Sequence, residues 1–298
     1  MAETIGVVGA GALGSLLALK LARAGHSVLV LSRSEARRAA LAGDAPHGLT
    51  VERGPDVLRP ASLVFICVKA RDTEEAAQGL LALAAPDSKF PGVCSLQNGW
   101  DHMANLEHVL PGAPLIAGAT ALGAFFDESG ALHASLEGAT LLAPWGATEA
   151  RWAEYAATVL NSGGFRSEAR ENAPAILWRK LALNAAVNPL TALANRPNGA
   201  ILDDPPLLRL ASEVAREAAD VGIRKGYLPA DFDAVPRLVR LLSETRSNRS
   251  SMAEDLARGR PTEAEAILGP ILRAAREERM DVPTLEALAT LMRVAESR

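Results

Sequence analysis

The feature that most constrains this chain lies at its start. A short β-prone run, Thr4 to Val8, leads into Gly9-Ala10-Gly11-Ala12-Leu13-Gly14 and then into a leucine-rich stretch, Ser15 to Ala24, that stops at Gly25. Strand, glycine turn and helix in that order admit few architectures. The first two glycines permit a tight turn and the close approach of a pyrophosphate, and the third lets helix pack on strand. The amides at the helix start then favour phosphate charge. The six residues from Gly9 to Gly14 therefore read as a dinucleotide cradle.

The following segments extend that reading. The strand Ser27 to Leu31 ends in Ser32-Arg33, at the distance from the glycines where an NAD site usually carries an acid for the ribose hydroxyls. Arg33 instead presents a planar, permanently charged fork suited to a 2′-phosphate, which favours NADP(H); Glu35 is a nearby carboxylate that would pair with it otherwise. After a looser segment, Gly48 to Val51, the run Leu63 to Val68 reads as a strand buried on both faces with Lys69 at its carboxyl end. Asp72 or Thr73 starts a helix. The run Val93 to Leu96 leads into Gln97-Asn98-Gly99. Gly9, Arg33, Lys69 and Asn98 all fall at the strand ends where an open parallel sheet binds ligands. A further strand, Leu115 to Gly118, runs through Thr120 toward Ala124, the stretch Gly130 to Ala143 reads as a hairpin region, and Phe165 to Glu168 supplies a last short strand.

From Asn172 onward strand signals vanish. The expected fold is α/β, with an N-terminal Rossmann-type doubly wound sheet over residues 1–170 and an all-helical domain over 171–298. Asn172 caps the first long helix, with Pro174 in its opening turn. That helix carries Lys180, Asn184 and Asn188 four residues apart in an otherwise apolar run, so they share one face. A buried lysine needs either a partner or a chemical role. Desolvation lowers its pKa, which suits it to give a proton to a developing alkoxide. Further on, Ser251 with Glu254 fits a capping box, and Thr262 with Glu265 repeats it, leaving Glu263 outside the cap and able to reach a ligand.

Composition limits the partners. The formal charge of −4 and the dispersion of Lys and Arg speak against nucleic acid or an anionic membrane. No apolar segment approaches the roughly 20 residues that span a bilayer, and Met-Ala-Glu-Thr lacks the basic start of a secretion signal, so a cytoplasmic location is expected. Cys67 and Cys94 each sit in an apolar run and read as reduced core residues, and the five histidines show no metal-ligand spacing.

Taken together, these blocks resemble the ketopantoate reductase (2-dehydropantoate 2-reductase) family along nearly the whole chain. The similarity lies in the glycine turn, Cys67-Val68-Lys69-Ala70, Gln97-Asn98-Gly99, Leu177-Trp178-Arg179-Lys180 through Asn184 to Asn188-Pro189-Leu190-Thr191, Pro197-Asn198-Gly199, Ser250-Ser251-Met252 with Asp255, and Thr262-Glu263. The Lys180 block is the most specific of them. The resemblance implies that Gly9, Ala10, Gly11, Ala12, Leu13, Gly14, Arg33, Lys69, Asn98, Ala124 and Glu263 bind NADPH. It further implies that Asn98, Asn184, Asn188, Asn198 and Ser251 bind substrate and that Lys180 is the proton donor.

The implied reaction is NADPH-dependent reduction of 2-dehydropantoate to (R)-pantoate, within pantothenate and coenzyme A biosynthesis, by a protein compatible with a homodimer. This chain departs from the family pattern at Phe125 to Gly130 and at Glu265-Ala266-Ile267-Leu268, which leaves another branched 2-oxo acid as an alternative substrate. A β-hydroxyacid dehydrogenase is the enzymatic rival, but Pro174 to Arg179 lacks the glycines that precede the lysine there. A non-enzymatic NADP-sensing protein is the rival from another class, against which Lys180 and Glu263 both speak.

Overall fold

Short valine, isoleucine and leucine runs closed by glycine, proline or serine form strands, because β-branched side chains pack well on a pleated surface and the breakers end them. In the computed structural model, which describes residues 2–43, 45–83, 90–127, 129–135 and 138–297, eight of these strands make one sheet. They are β1 (Thr4–Val8), β2 (Ser27–Leu31), β3 (Leu49–Glu52), β4 (Leu63–Ile66), β5 (Gly92–Ser95), β6 (Leu115–Thr120), β9 (Thr140–Pro144) and β10 (Ser167–Ala169). Two more, β7 (Gly123–Phe126) and β8 (Leu132–Ser135), pair only with each other.

The sheet order is β10-β9-β6-β5-β4-β1-β2-β3. From β3 to β6 every pairing is parallel, β9 runs antiparallel to β6, and β10 runs parallel to β9. Parallel neighbours need crossovers, supplied by α1 (Ala12–Arg23), α2 (Glu35–Gly43), α3 (Thr73–Leu81) and α4 (Asp101–Val109), while α5 (Arg151–Ser162) links β9 to β10. The chain lays β2 and β3 on one side of β1 and then returns to place β4 on the other, which is the reversal of strand order that opens a ligand crevice at the carboxyl ends. Covering on both faces explains why Leu63, Val64, Phe65 and Ile66 are all fully buried.

Two local expectations change. The segment around residues 48–51 is strand β3, not a loose connection: its Leu49 and Val51 are only half covered at the sheet edge, so its apolar signal is weak. The hairpin lies earlier than expected, as β7 with β8, while residues 140–144 join the main sheet against β6. Residues 136 and 137 of that stretch, and residue 128, lie outside the described set.

The second half is helical: α6 (Ala173–Ala194), α7 (Ala200–Asp203), α8 (Pro205–Arg224), α9 (Ala234–Glu244), α10 (Ser251–Ala257), α11 (Ala264–Glu277) and α12 (Pro283–Glu296). Asn172 caps α6 as expected, its Oδ1 accepting from the Ala175 amide at 2.9 Å. Trp178, Leu181, Ala182, Ala185, Ala186 and Val187 of α6 are all buried in a core of their own, separate from the apolar cluster around the sheet. That packing carries α6 through Pro189, which removes only the bond to the Ala185 carbonyl. Grouped by contacts, the chain forms two compact units, Met1–Gln97 with His102–Ile176, and Asn98–Asp101 with Leu177–Arg298. Among the described residues no helix is long and apolar enough to cross a membrane.

Candidate active site

In the first unit the three glycines differ in what they accommodate. Gly9 has φ +102, a region that only glycine adopts without strain, and a Cβ there would lie 2.8 Å from the Val68 side chain. A Cβ on Gly14 would stand 1.9 Å from the Gly9 carbonyl oxygen, so α1 could not begin where it does with any other residue. Gly11 is the contrast. It is exposed, and a Cβ would meet only the Cys67 carbonyl, at 3.9 Å. Packing does not demand glycine at 11; open backbone at the first turn of a helix does fit a pyrophosphate, whose charge the turn's amides favour.

Around this turn, Arg33 follows β2 and is largely exposed. It donates to Asp72 at 2.8 Å and pairs with Glu75, not with Glu35 as the sequence proximity suggests, and these carboxylates raise its pKa. Lys69 is partly buried and follows β4, two residues beyond Cys67, whose thiol burial pushes up to about 12. Ala124 lies on β7, in the same apolar cluster as Leu13. Gln97, whose sequence context indicates only a turn, is buried and fully engaged. Its Nε2 donates to the Val68 carbonyl at 3.1 Å and to Thr73 Oγ1 at 2.8 Å, and its Oε1 accepts from Ser95 Oγ at 3.1 Å, so it ties the ends of β4 and β5 together.

In the second unit α6 presents Lys180, Asn184 and Asn188 one turn apart. Lys180 is partly buried, and burial lowers its pKa to about 8 against the opposing pull of the Glu263 carboxylate. Glu263, just before α11, accepts from Asn98 Nδ2 at 3.1 Å. Asn98 belongs to this unit by its contacts although it follows β5 in the chain. Three segments far apart in sequence thus bring an ammonium, a carboxylate and a carboxamide into one neighbourhood.

Asn188 and Asn198 are both nine-tenths buried. Asn198 Nδ2 donates to Thr245 Oγ1 at 2.9 Å, while its Oδ1 is buried without a hydrogen-bond partner. An unsatisfied buried acceptor costs about 1–3 kcal/mol, a cost that a donor on a bound molecule would remove. The helix cap at α10 is shifted by one residue from expectation. Ser250 is the cap, accepting from the Ala253 amide at 3.1 Å and sharing a 2.8 Å hydrogen bond with Thr191, whereas Ser251 is the exposed first residue of the helix. Two adjacent serines leave the sequence signal ambiguous, and the buried Thr191 hydroxyl decides between them. Ser251 is thereby free of the capping role.

Residues 5–147 match the family described as ketopantoate reductase PanE/ApbA, and residues 172–296 match its C-terminal domain. The chain belongs to the ketopantoate reductase family. A 2-dehydropantoate 2-reductase of Archaeoglobus fulgidus is 33% identical over 302 residues, spanning 99% of this chain and 98% of the relative. The crystal structure of a PanE/ApbA family ketopantoate reductase from Ralstonia eutropha superposes with a TM-score of 0.86 at 26% identity, covering 99% of each chain. D-Mandelate dehydrogenase, solved with NADH and anilino(oxo)acetate, shares the fold at a TM-score of 0.88 and 22% identity, covering 99% of this chain and 98% of that one. Both halves of this chain are therefore those of an oxidoreductase of the ketopantoate reductase family.

Proposed function

We propose that this protein reduces 2-dehydropantoate to (R)-pantoate with NADPH, a step of pantothenate and coenzyme A biosynthesis. The observation that carries the proposal is Lys180. Its amine, lowered to about 8, is still mostly protonated near neutral pH yet acidic enough to release its proton to an alkoxide. Family membership and the 2-dehydropantoate 2-reductases that resemble it support the choice of substrate.

In this reading the backbone of Gly9 to Gly14, with Lys69, Asn98, Ala124 and Glu263, holds the dinucleotide, and Arg33 turns from Asp72 and Glu75 to its 2′-phosphate. When bound, NADPH supplies the hydride that reaches the 2-oxo carbon. Lys180 Nζ gives its proton to the carbonyl oxygen as the carbon–oxygen π pair moves onto it, and solvent then reprotonates the amine. Asn184, Asn188 and Asn198 hold the polar groups of the substrate without adding charge, the last through its otherwise unpaired Oδ1. Ser251, exposed at the start of α10, receives the carboxylate.

The test is consumption of NADPH with 2-dehydropantoate and a panel of other 2-oxo acids, repeated with NADH. Turnover fastest on 2-dehydropantoate, and clearly poorer with NADH, is expected. Preference for another branched 2-oxo acid would move the substrate assignment, and no turnover with any would leave the cofactor-sensing alternative. Arg33→Asp should weaken NADPH far more than NADH; equal losses would remove Arg33 from the 2′-phosphate.

A further inference from the structure

Asn98 is a short side chain on a connection between β5 and α4, and something must hold it against Glu263. The neighbouring residues are each seated on the helical unit. Gly99 has φ +97 and approaches α11 so closely that a Cβ would lie 2.6 Å from the Ala266 carbonyl oxygen. Asp101 pairs with Arg273 of α11. Trp100 meets two aromatic rings: its own ring lies 5.1 Å from Trp178 in an edge-on arrangement and 4.6 Å from Tyr227, tilted by 35°.

The surface that Trp100 meets is closely packed and hydrogen-bonded. Trp178 is fully buried, its Nε1 donates to the Ala218 carbonyl at 2.9 Å, and its ring fits only because residue 222 is glycine, where a Cβ would come within 2.2 Å of it. Tyr227 closes the trio, 5.1 Å from Trp178. Trp178 is also two residues from Lys180 on α6, so a ring seated there is referenced to the same helix that carries the amine. Aromatic contacts of this kind add specific geometry to apolar burial, which a flexible aliphatic side chain does not.

We propose that Trp100 is a positioning residue of this active site: its indole, locked on Trp178 and Tyr227, holds Asn98 where the carboxamide meets Glu263. The inference rests on the reading of Lys180 and Glu263 given above. Trp100 has no chemical part of its own; it acts through Asn98, and Asn98 in turn restrains the carboxylate whose charge acts on Lys180.

A double-mutant cycle tests this. Trp100→Ala is expected to lower kcat/KM for the preferred 2-oxo acid about tenfold, Trp100→Phe to recover most of that loss, and Trp100→Ala with Asn98→Ala to be within about twofold of Asn98→Ala alone. Multiplied losses in the double variant would mean that Trp100 does not act through Asn98, and would overturn the proposal. Should Trp100→Ala fail to fold, Trp100→Leu, which keeps apolar bulk without the ring contacts, takes its place in the cycle. A second measurement needs no substrate: the pH dependence of Lys180 labelling by an amine reagent, read by mass spectrometry. Without the Asn98 bond the Glu263 carboxylate is no longer held as it is and its counter-charge on Lys180 weakens, so the labelling midpoint should fall in Trp100→Ala and in Asn98→Ala by the same amount, and no further in the double variant. An unchanged midpoint in Trp100→Ala would sink the proposal. If no 2-oxo acid is turned over, the catalytic reading fails by itself, and the labelling result still decides the role of Trp100.

Discussion

The two units build their candidate functional features from opposite materials. In the first, the glycine turn is built on what is absent: no side chain at 9 or 14, so that backbone, helix start and strand end come together, and none at 11, where the backbone is left open. In the second, Lys180, Glu263 and Asn98 work through what is present, and each comes from a different stretch of chain. A backbone site is local, and here it excludes an added atom at positions 9 and 14 while leaving 11 open. A side-chain site is distributed, and its properties depend on partners that can be changed one at a time.

The sharpest break of that contrast is Gly14 against Gly11. Gly14→Ala forces a Cβ to within 1.9 Å of the Gly9 carbonyl, so a loss of about 3 kcal/mol or more in denaturant unfolding is expected. Gly11→Ala should change stability by less than about 1 kcal/mol while weakening NADPH binding roughly tenfold. Equal stability losses at the two positions would show that Gly11 is there for packing and not for a ligand.

Next comes Lys180. Lys180→Ala should cut turnover by about 10²-fold or more with NADPH binding nearly intact, and wild-type kcat for reduction should be flat below pH about 8 and fall above it as the amine loses its proton. The reverse oxidation, which needs the neutral amine, should rise through the same pH. Stability has its own signature. Below about 8 the amine is protonated folded and unfolded, so its burial cost is constant; between there and the ordinary lysine value of 10.5 only the unfolded chain keeps the proton, and stability should rise with pH. A reduction rate still flat well above pH 8 would remove Lys180 as the donor.

The smallest effect separates two neighbours at α10. Ser250→Ala removes a cap and should cost about 1 kcal/mol, whereas Ser251→Ala should leave stability nearly unchanged and raise KM for the 2-oxo acid. Equal stability losses would return Ser251 to a structural role.

Much of the fold and site is legible from local pattern. The glycine turn, the buried run Leu63 to Ile66, the cap at Asn172 and the four-residue rhythm of α6 each follow from neighbours in sequence, whose sterics and periodicity act within one or two turns of chain. Strand β3 is hard to read because an edge strand needs few apolar residues, and the cap at Ser250 escapes a local reading because its deciding partner, Thr191, lies 59 residues away. Trp100 likewise looks like an ordinary residue after a turn until Trp178 and Tyr227 are beside it.

By itself the amino-acid order determined a mostly parallel sheet with a glycine turn between its first strand and helix, then a helical half with a lysine on an apolar helix, because each of those follows from short-range backbone geometry. Only the tertiary structure decided which carboxylate tunes that lysine, which serine caps α10, which acids hold Arg33, and that Asn98 sides with the helical unit. Charge and hydrogen bonding act through space, between segments whose separation along the chain carries no record of their meeting.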